Sequence, residues 1–167
     1  MVKSIAVFGI TGTFGSIIAE KLIKHSFRLL LITDEKEESS SLLHDFPDAD
    51  IQLVDCPAES GWEADIVVLD ASVNDQLLLI SAIREFVTQK IVIWLSDKNR
   101  TDLEEEILNI RSKLPYSKLI ELKLFKNEAG QFSYSISGED RDSLRESDSI
   151  LSRIGFLKAP IDVLITN

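Results

Sequence analysis

A chain of 167 residues with 44% hydrophobic content has the size and apolar stock for one domain around a real core. Its formal charge of −10 argues against nucleic acid and anionic membrane surfaces as general partners. A single cysteine, Cys56, excludes an internal disulfide framework; no run approaches the ~20 apolar residues of a membrane span, and the N-terminus lacks a signal-peptide pattern, so a cytoplasmic domain is expected.

Ile5 to Phe8 is apolar throughout and predicts a central parallel strand buried on both faces. A helix is expected from about Thr13 to His25, with Phe14, Ile17, Ile18 and Leu22 on one face and Glu20 and Lys24 paired on the other. Leu29 to Ile32 reads as a second buried strand, Ser39 to Phe46 as a short helix ended by Pro47, and Ile51 to Val54 as a third strand. The eleven residues from Asp55 to Asp65 leave room for a loop or one helical turn before a fourth strand at Ile66 to Leu69. Cys56 falls in that loop, with no helix start, cation or histidine in the local sequence to activate it.

A helix with an apolar face of Leu77, Leu78, Ile80, Ile83 and Val87 follows, running to about Val87, and then a strand at Ile91 to Leu95. Thr101 to Glu104 is a capping box opening a helix striped by Leu103, Ile107, Ile110 and Leu114 and closed before Pro115. Lys118 to Lys126 alternates, Asn127 to Gly130 is a turn, and Phe132, Tyr134 and Ile136 alternate again, which predicts an antiparallel hairpin at the edge of the sheet. A helix from Arg141 to Ile154 stops at Gly155, and Ile161 to Ile165 is expected as a last strand.

Strand, glycine turn and helix start meet at Gly9, Gly12 and Gly15, the local context of a phosphate-cradling turn. Gly12 can let the backbone approach a pyrophosphate, and Gly15 can let the helix pack close to the sheet. Gly9, Thr11, Gly12, Thr13, Phe14 and Gly15 are therefore candidate cofactor-binding residues, against the plainer reading of a strand-to-helix bend with no nucleotide. Asp34, nineteen residues after Gly15, stands where a carboxylate accepts from the adenosine ribose hydroxyls and repels a 2′-phosphate, which favours NAD over NADP. Lys36 keeps NADP open, and the plainer reading of Asp34 is a solvated acid in the charge run Asp34 to Glu38.

Ligands of open α/β sheets bind beyond the carboxyl ends of the strands. Asp70, Ala71 and Ser72 after the fourth strand are candidates for the cofactor, Asp70 either anchoring a ribose or capping a helix. Ser96 and Lys98 after the fifth are the candidate catalytic pair, with Lys98 as anion clamp or proton donor, or else part of an ordinary polar loop. No metal-ligand spacing occurs.

Three stretches resemble the nucleotide-binding domains of the prephenate dehydrogenase group, within the 6-phosphogluconate-dehydrogenase-like superfamily. Gly9-Ile-Thr-Gly-Thr-Phe-Gly15 is similar to that group's glycine turn, Asp65 to Val73 to its fourth strand and following loop, and Ile91 to Lys98 to a strand followed by Ser-x-Lys. The resemblance implies a doubly wound, mostly parallel α/β sheet of Rossmann type with a C-terminal antiparallel extension, one domain over 1–167, binding a nicotinamide dinucleotide for hydride transfer. Ile10 replaces a glycine of the pattern, and Asp70-Ala71 stands where a small residue and proline are common. The group's catalytic histidine would lie on the strand at Leu119 to Phe125, which has none, and its helical second domain has no counterpart here. The glycine spacing is also that of atypical short-chain dehydrogenases, but no Tyr-x-x-x-Lys pair occurs. The expectation is an NAD(P)-binding protein of oxidoreductase type acting on an unidentified small molecule. The alternative is a non-catalytic binding, sensing or assembly module, with the edge hairpin as a pairing surface for a homodimer.

Overall fold

The computed structural model describes residues 2–10, 12, 14–32, 36–70, 76–96 and 103–159, with side chains for all of these except 36–39, 76 and 103–107. The elements in chain order are β1 (Ser4–Phe8), α1 (Gly15–Ile23), β2 (Arg28–Ile32), α2 (Lys36–Asp45), β3 (Ile51–Val54), α3 (Pro57–Glu63) and β4 (Ile66–Asp70). They continue as α4 (Gln76–Ile83), β5 (Ile91–Leu95), α5 (Leu103–Lys113), β6 (Lys118–Lys126), β7 (Phe132–Gly138), α6 (Arg141–Arg153) and β8 (Leu157–Lys158).

The strands make one sheet in the order β3-β2-β1-β4-β5-β6-β7-β8. From β3 to β6 every pairing is parallel; β7 is antiparallel to β6, and β8 runs parallel to β7. The chain steps outward from β1 through β2 and β3, then returns to β4 on the other side of β1. The carboxyl ends of β1 and β4 thus flank the topological switch point of the sheet, where such folds open a crevice.

Strict alternation divides the core in two. Ile5, Val7, Leu29, Leu31, Ile66, Val68, Ile91 and Ile93 face one layer with Ile18, Leu22, Leu151 and Ile154 of α1 and α6 and their ends. Ala6, Phe8, Leu30, Val67, Leu69, Val92 and Trp94 face the other, with Ile80 and Ile83 of α4 and Ile110 of α5. A central strand buried on both faces is apolar wherever no partner satisfies a polar group, and β1, β4 and β5 are buried along their whole length, with Ser4 and Asp70 as hydrogen-bonded polar ends of β1 and β4. The doubly wound α/β fold read from the sequence is the fold of the chain.

Several boundaries move. The first helix starts at Gly15 rather than Thr13 and ends at Ile23, and α2 begins earlier than expected, at Lys36. The Asp55 to Asp65 segment holds a seven-residue helix, α3, with Pro57 at its first turn and Cys56 as its N-cap, so Cys56 does stand at a helix start. Pro at the first position was the available signal. Helix α4 stops at Ile83, and Leu77 and Leu78 face solvent while Ile80, Ile83 and Val87 are buried. The β6–β7 hairpin is not the edge by itself: β6 lies inside the sheet against β5, and β8 pairs with Ser133 and Tyr134 of β7. Helix α6 ends as expected, Gly155 at φ 87° and Phe156 N donating to the Leu151 carbonyl. The capping box at Thr101 and the expected strand at Ile161 to Ile165 lie outside the described residues, apart from the helical backbone of Leu103 and Glu104.

Candidate functional site

The turn after β1 is built by its own glycines. Gly9 has φ 87°, a conformation open to glycine at little cost, and its carbonyl accepts from Gly12 N at 2.8 Å. Ile10, where the glycine pattern would have another glycine, turns into the core beside Val7 and Ile18 and is only 4% exposed. Gly15 then begins α1 directly against the turn: a Cβ there would lie 2.1 Å from the Gly9 carbonyl oxygen.

The N-cap of α1 is Phe14, whose side chain cannot cap and instead packs against the core. The cap comes from elsewhere in the chain. Asp70 Oδ2 accepts from Gly15 N at 2.8 Å and from Phe14 N at 3.2 Å. Asp70 is 3% exposed, so this is a buried carboxylate seated on the positive end of a helix. Its direction follows from strand period: Ile66, Val68 and Asp70 share the face that carries α1. Asp70 was expected to meet either a ribose or a helix, and the helix it caps is α1, across the crevice from its own strand.

Asp70 pairs in register with Leu95, so Ser96 is the next residue along on the neighbouring strand. Its backbone N donates to the Leu122 carbonyl at 3.0 Å, continuing the β5–β6 ladder. Its side-chain oxygen is buried and, among the described residues, meets no hydrogen-bond partner. A hydroxyl left so costs about 1–3 kcal/mol, which a ligand group can recover. The structure therefore gathers Gly9, Gly12, Phe14, Gly15, Asp70 and Ser96 at the carboxyl ends of β1, β4 and β5. Thr11, Thr13, Asp34, Ala71, Ser72 and Lys98 lie outside the described residues.

Both histidines are remote. His25 lies between α1 and β2, at the amino ends of the strands, its Nδ1 bonded to the Lys21 carbonyl at 2.8 Å. His44 is exposed near the end of α2, on the approach to the amino end of β3, beside Asp45. Among the described residues the displaced ionisations also lie away from the crevice. Burial holds Lys90 below the usual lysine range, though Asp65 opposes it, and Lys90 Nζ donates to the last carbonyls of α3. Hydrogen bonds from Ser143 lower the Asp140 carboxyl, which caps α6. Among the described residues no group of three metal-ligating side chains occurs, and no helix is long and apolar enough to cross a membrane.

No family model and no curated protein matches the chain. Solved structures do. Pyrroline carboxylate reductase of Plasmodium falciparum, with NADP bound, superposes at TM-score 0.68 and 12% identity over 97% of this chain and 59% of its own. Pyrroline-5-carboxylate reductase of Coxiella burnetii gives 0.71 and 15% over 96% and 60%. Imine reductase of Streptomyces aurantiacus gives 0.73 and 14% over 93% and 54%. The chain thus spans somewhat over half the length of each. At these identities the likeness is one of fold: a Rossmann-type domain as found in reductases. None of the three is a prephenate dehydrogenase.

Proposed function

We propose that this chain is an NAD(P)-binding Rossmann protein of oxidoreductase type. One observation carries the reading: the amino end of α1, at the switch point of the sheet, holds a buried anion on two backbone amides. A glycine turn that brings the helix this close to β1 suits a pyrophosphate as it suits a carboxylate. Ser96 adds a buried hydroxyl that meets no partner among the described residues, one strand away. In this reading Gly9, Thr11, Gly12, Thr13, Phe14 and Gly15 cradle the pyrophosphate, Asp34 takes the adenosine ribose and favours NAD over NADP, and Ala71 and Ser72 line the approach to the nicotinamide. When bound, the cofactor supplies hydride; Ser96 orients the reacting half, and Lys98 holds an anionic substrate group or gives a proton. The kinship to the prephenate dehydrogenase group belongs to this proposal too.

A second reading has its own observation. Both histidines sit at the amino ends of the strands, and the one described acid at the carboxyl end of β4 is engaged in capping α1. That is the layout of a module that binds or senses a dinucleotide without turning it over.

Calorimetric titration with NADH and NADPH, on wild type and Asp34→Ala, tests the proposal. Micromolar NADH binding weakened by the substitution is the expected result. Saturable NADPH binding instead overturns the role of Asp34, and a folded protein that binds neither overturns the dinucleotide reading. Ser96→Ala and Lys98→Met variants with intact affinity but no turnover of a screened substrate then separate catalysis from binding.

A further inference from the structure

We infer that Asp70 is a built-in competitor of the dinucleotide's pyrophosphate, set into the fold at the position the phosphates need; this rests on the dinucleotide reading above. The acid reaches α1 from 55 residues further along the chain and takes the amides of Phe14 and Gly15 at 3.2 and 2.8 Å. A helix terminus offers roughly half a unit of positive charge, concentrated on these first free N–H groups. One buried carboxylate already satisfies it. A pyrophosphate arriving on the same turn either displaces that carboxylate or sits beside it, two anions in a poorly solvated crevice. Either way part of the helix's attraction for phosphate is cancelled.

The competition is specific to one part of the ligand. Adenine and its ribose carry no phosphate charge, and in the dinucleotide reading they fall to Asp34, after β2 in the chain, so Asp70 has little effect on them. The acid therefore keeps α1 capped when no ligand is present and sets how tightly the phosphates bind. Asp70 is a specificity-determining residue of the site, acting against the charged middle of the dinucleotide.

The test titrates NADH, ADP and adenosine into wild type, Asp70→Asn and Asp70→Ser. Asparagine keeps the shape and one acceptor without the charge, and serine removes the charge together with the reach to the two amides. Both variants are expected to bind NADH and ADP about tenfold tighter or more, with adenosine unchanged. Equal or weaker NADH and ADP binding by a folded variant overturns the inference while leaving the dinucleotide reading in place. If neither wild type nor variants bind any of the three, the dinucleotide reading falls and this inference with it. A wild-type measurement stands beside these: the Phe14 and Gly15 amide resonances should shift on saturation with ADP but not with adenosine. Their failure to move while NADH binds means the two anions never meet, and the inference is wrong.

Discussion

Gly15 is glycine because any side chain would begin inside the carbonyl of Gly9, 2.1 Å from its oxygen. The obstacle is backbone on both sides, so nothing can swing away. Gly15→Ala is expected to cost at least ~3 kcal/mol, read as a fall in the urea midpoint of unfolding, because relief requires lifting α1 off the turn. A loss below ~1 kcal/mol would mean the turn relaxes freely and the close approach is incidental. This residue also shows the limit of a motif. From spacing alone the glycines read as a phosphate cradle, yet Gly9 is required by its positive φ and Gly15 by contact with Gly9, ligand or no ligand. The same stretch hid the capping role of Asp70. Period-two alternation put it on the face of Ile66 and Val68, but which helix crosses that face is a tertiary fact.

At the level of elements, the outer third of the sheet is tied by a small polar network. Tyr134 on β7, fully buried, donates its hydroxyl to Asp148 Oδ1 at 2.8 Å and lies 3.0 Å from Ser152 Oγ, both on α6. Lys158 on β8 reaches the same carboxylate oxygen at 2.8 Å. Its hydrogen bond to Asp148 raises the Lys158 ammonium above its ordinary range, and the bond from Lys158 lowers Asp148, opposed in part by burial and helped by the smaller effect of the Tyr134 hydroxyl. A carboxyl lowered by folding contributes stability above its unfolded value near 3.9 and loses it as pH falls through the native one; a raised lysine contributes below about 10.4 and loses it as pH rises further. Asp148→Asn should therefore cost about 1 kcal/mol at neutral pH, modest because Lys158 is largely exposed. The gap between wild type and variant should close in acid below about pH 4 and narrow again above about pH 10.4. Denaturant titrations at three pH values check this, and a gap constant across the range would show the network carries no charge dependence. Alternation in the sequence made β6 and β7 legible, and Gly155 made the end of α6 legible. Helix α3, at seven residues, is longer than the loop or single turn that the short segment suggests, Pro57 being its start signal, and Leu77 and Leu78 are hard to place from sequence because α4 is apolar on nearly every side.

For the whole molecule, the alternation of apolar strands with helical stretches was enough to read a doubly wound sheet, since few chain paths satisfy it. What lay beyond the sequence was how β8 closes the hairpin side and which charges face the switch point. Charge at this scale makes its own prediction. The chain carries −10, and one of its acids, Asp70, is buried in the crevice, so a dinucleotide approaches a protein of its own sign. Local amides hold the phosphates at hydrogen-bond range, whereas the repulsion acts over the whole surface and is screened by salt. Raising ionic strength from about 0.01 to about 0.1 M shortens the Debye length from roughly 30 to 10 Å, less than the size of the domain. NADH affinity should therefore rise with salt, and NADPH, with its extra phosphate, should gain more. The usual fall in affinity with salt, for an anion drawn to a positive site, would place a cationic residue close to the phosphates. Lys36 and Lys98 would be the first to substitute in that case.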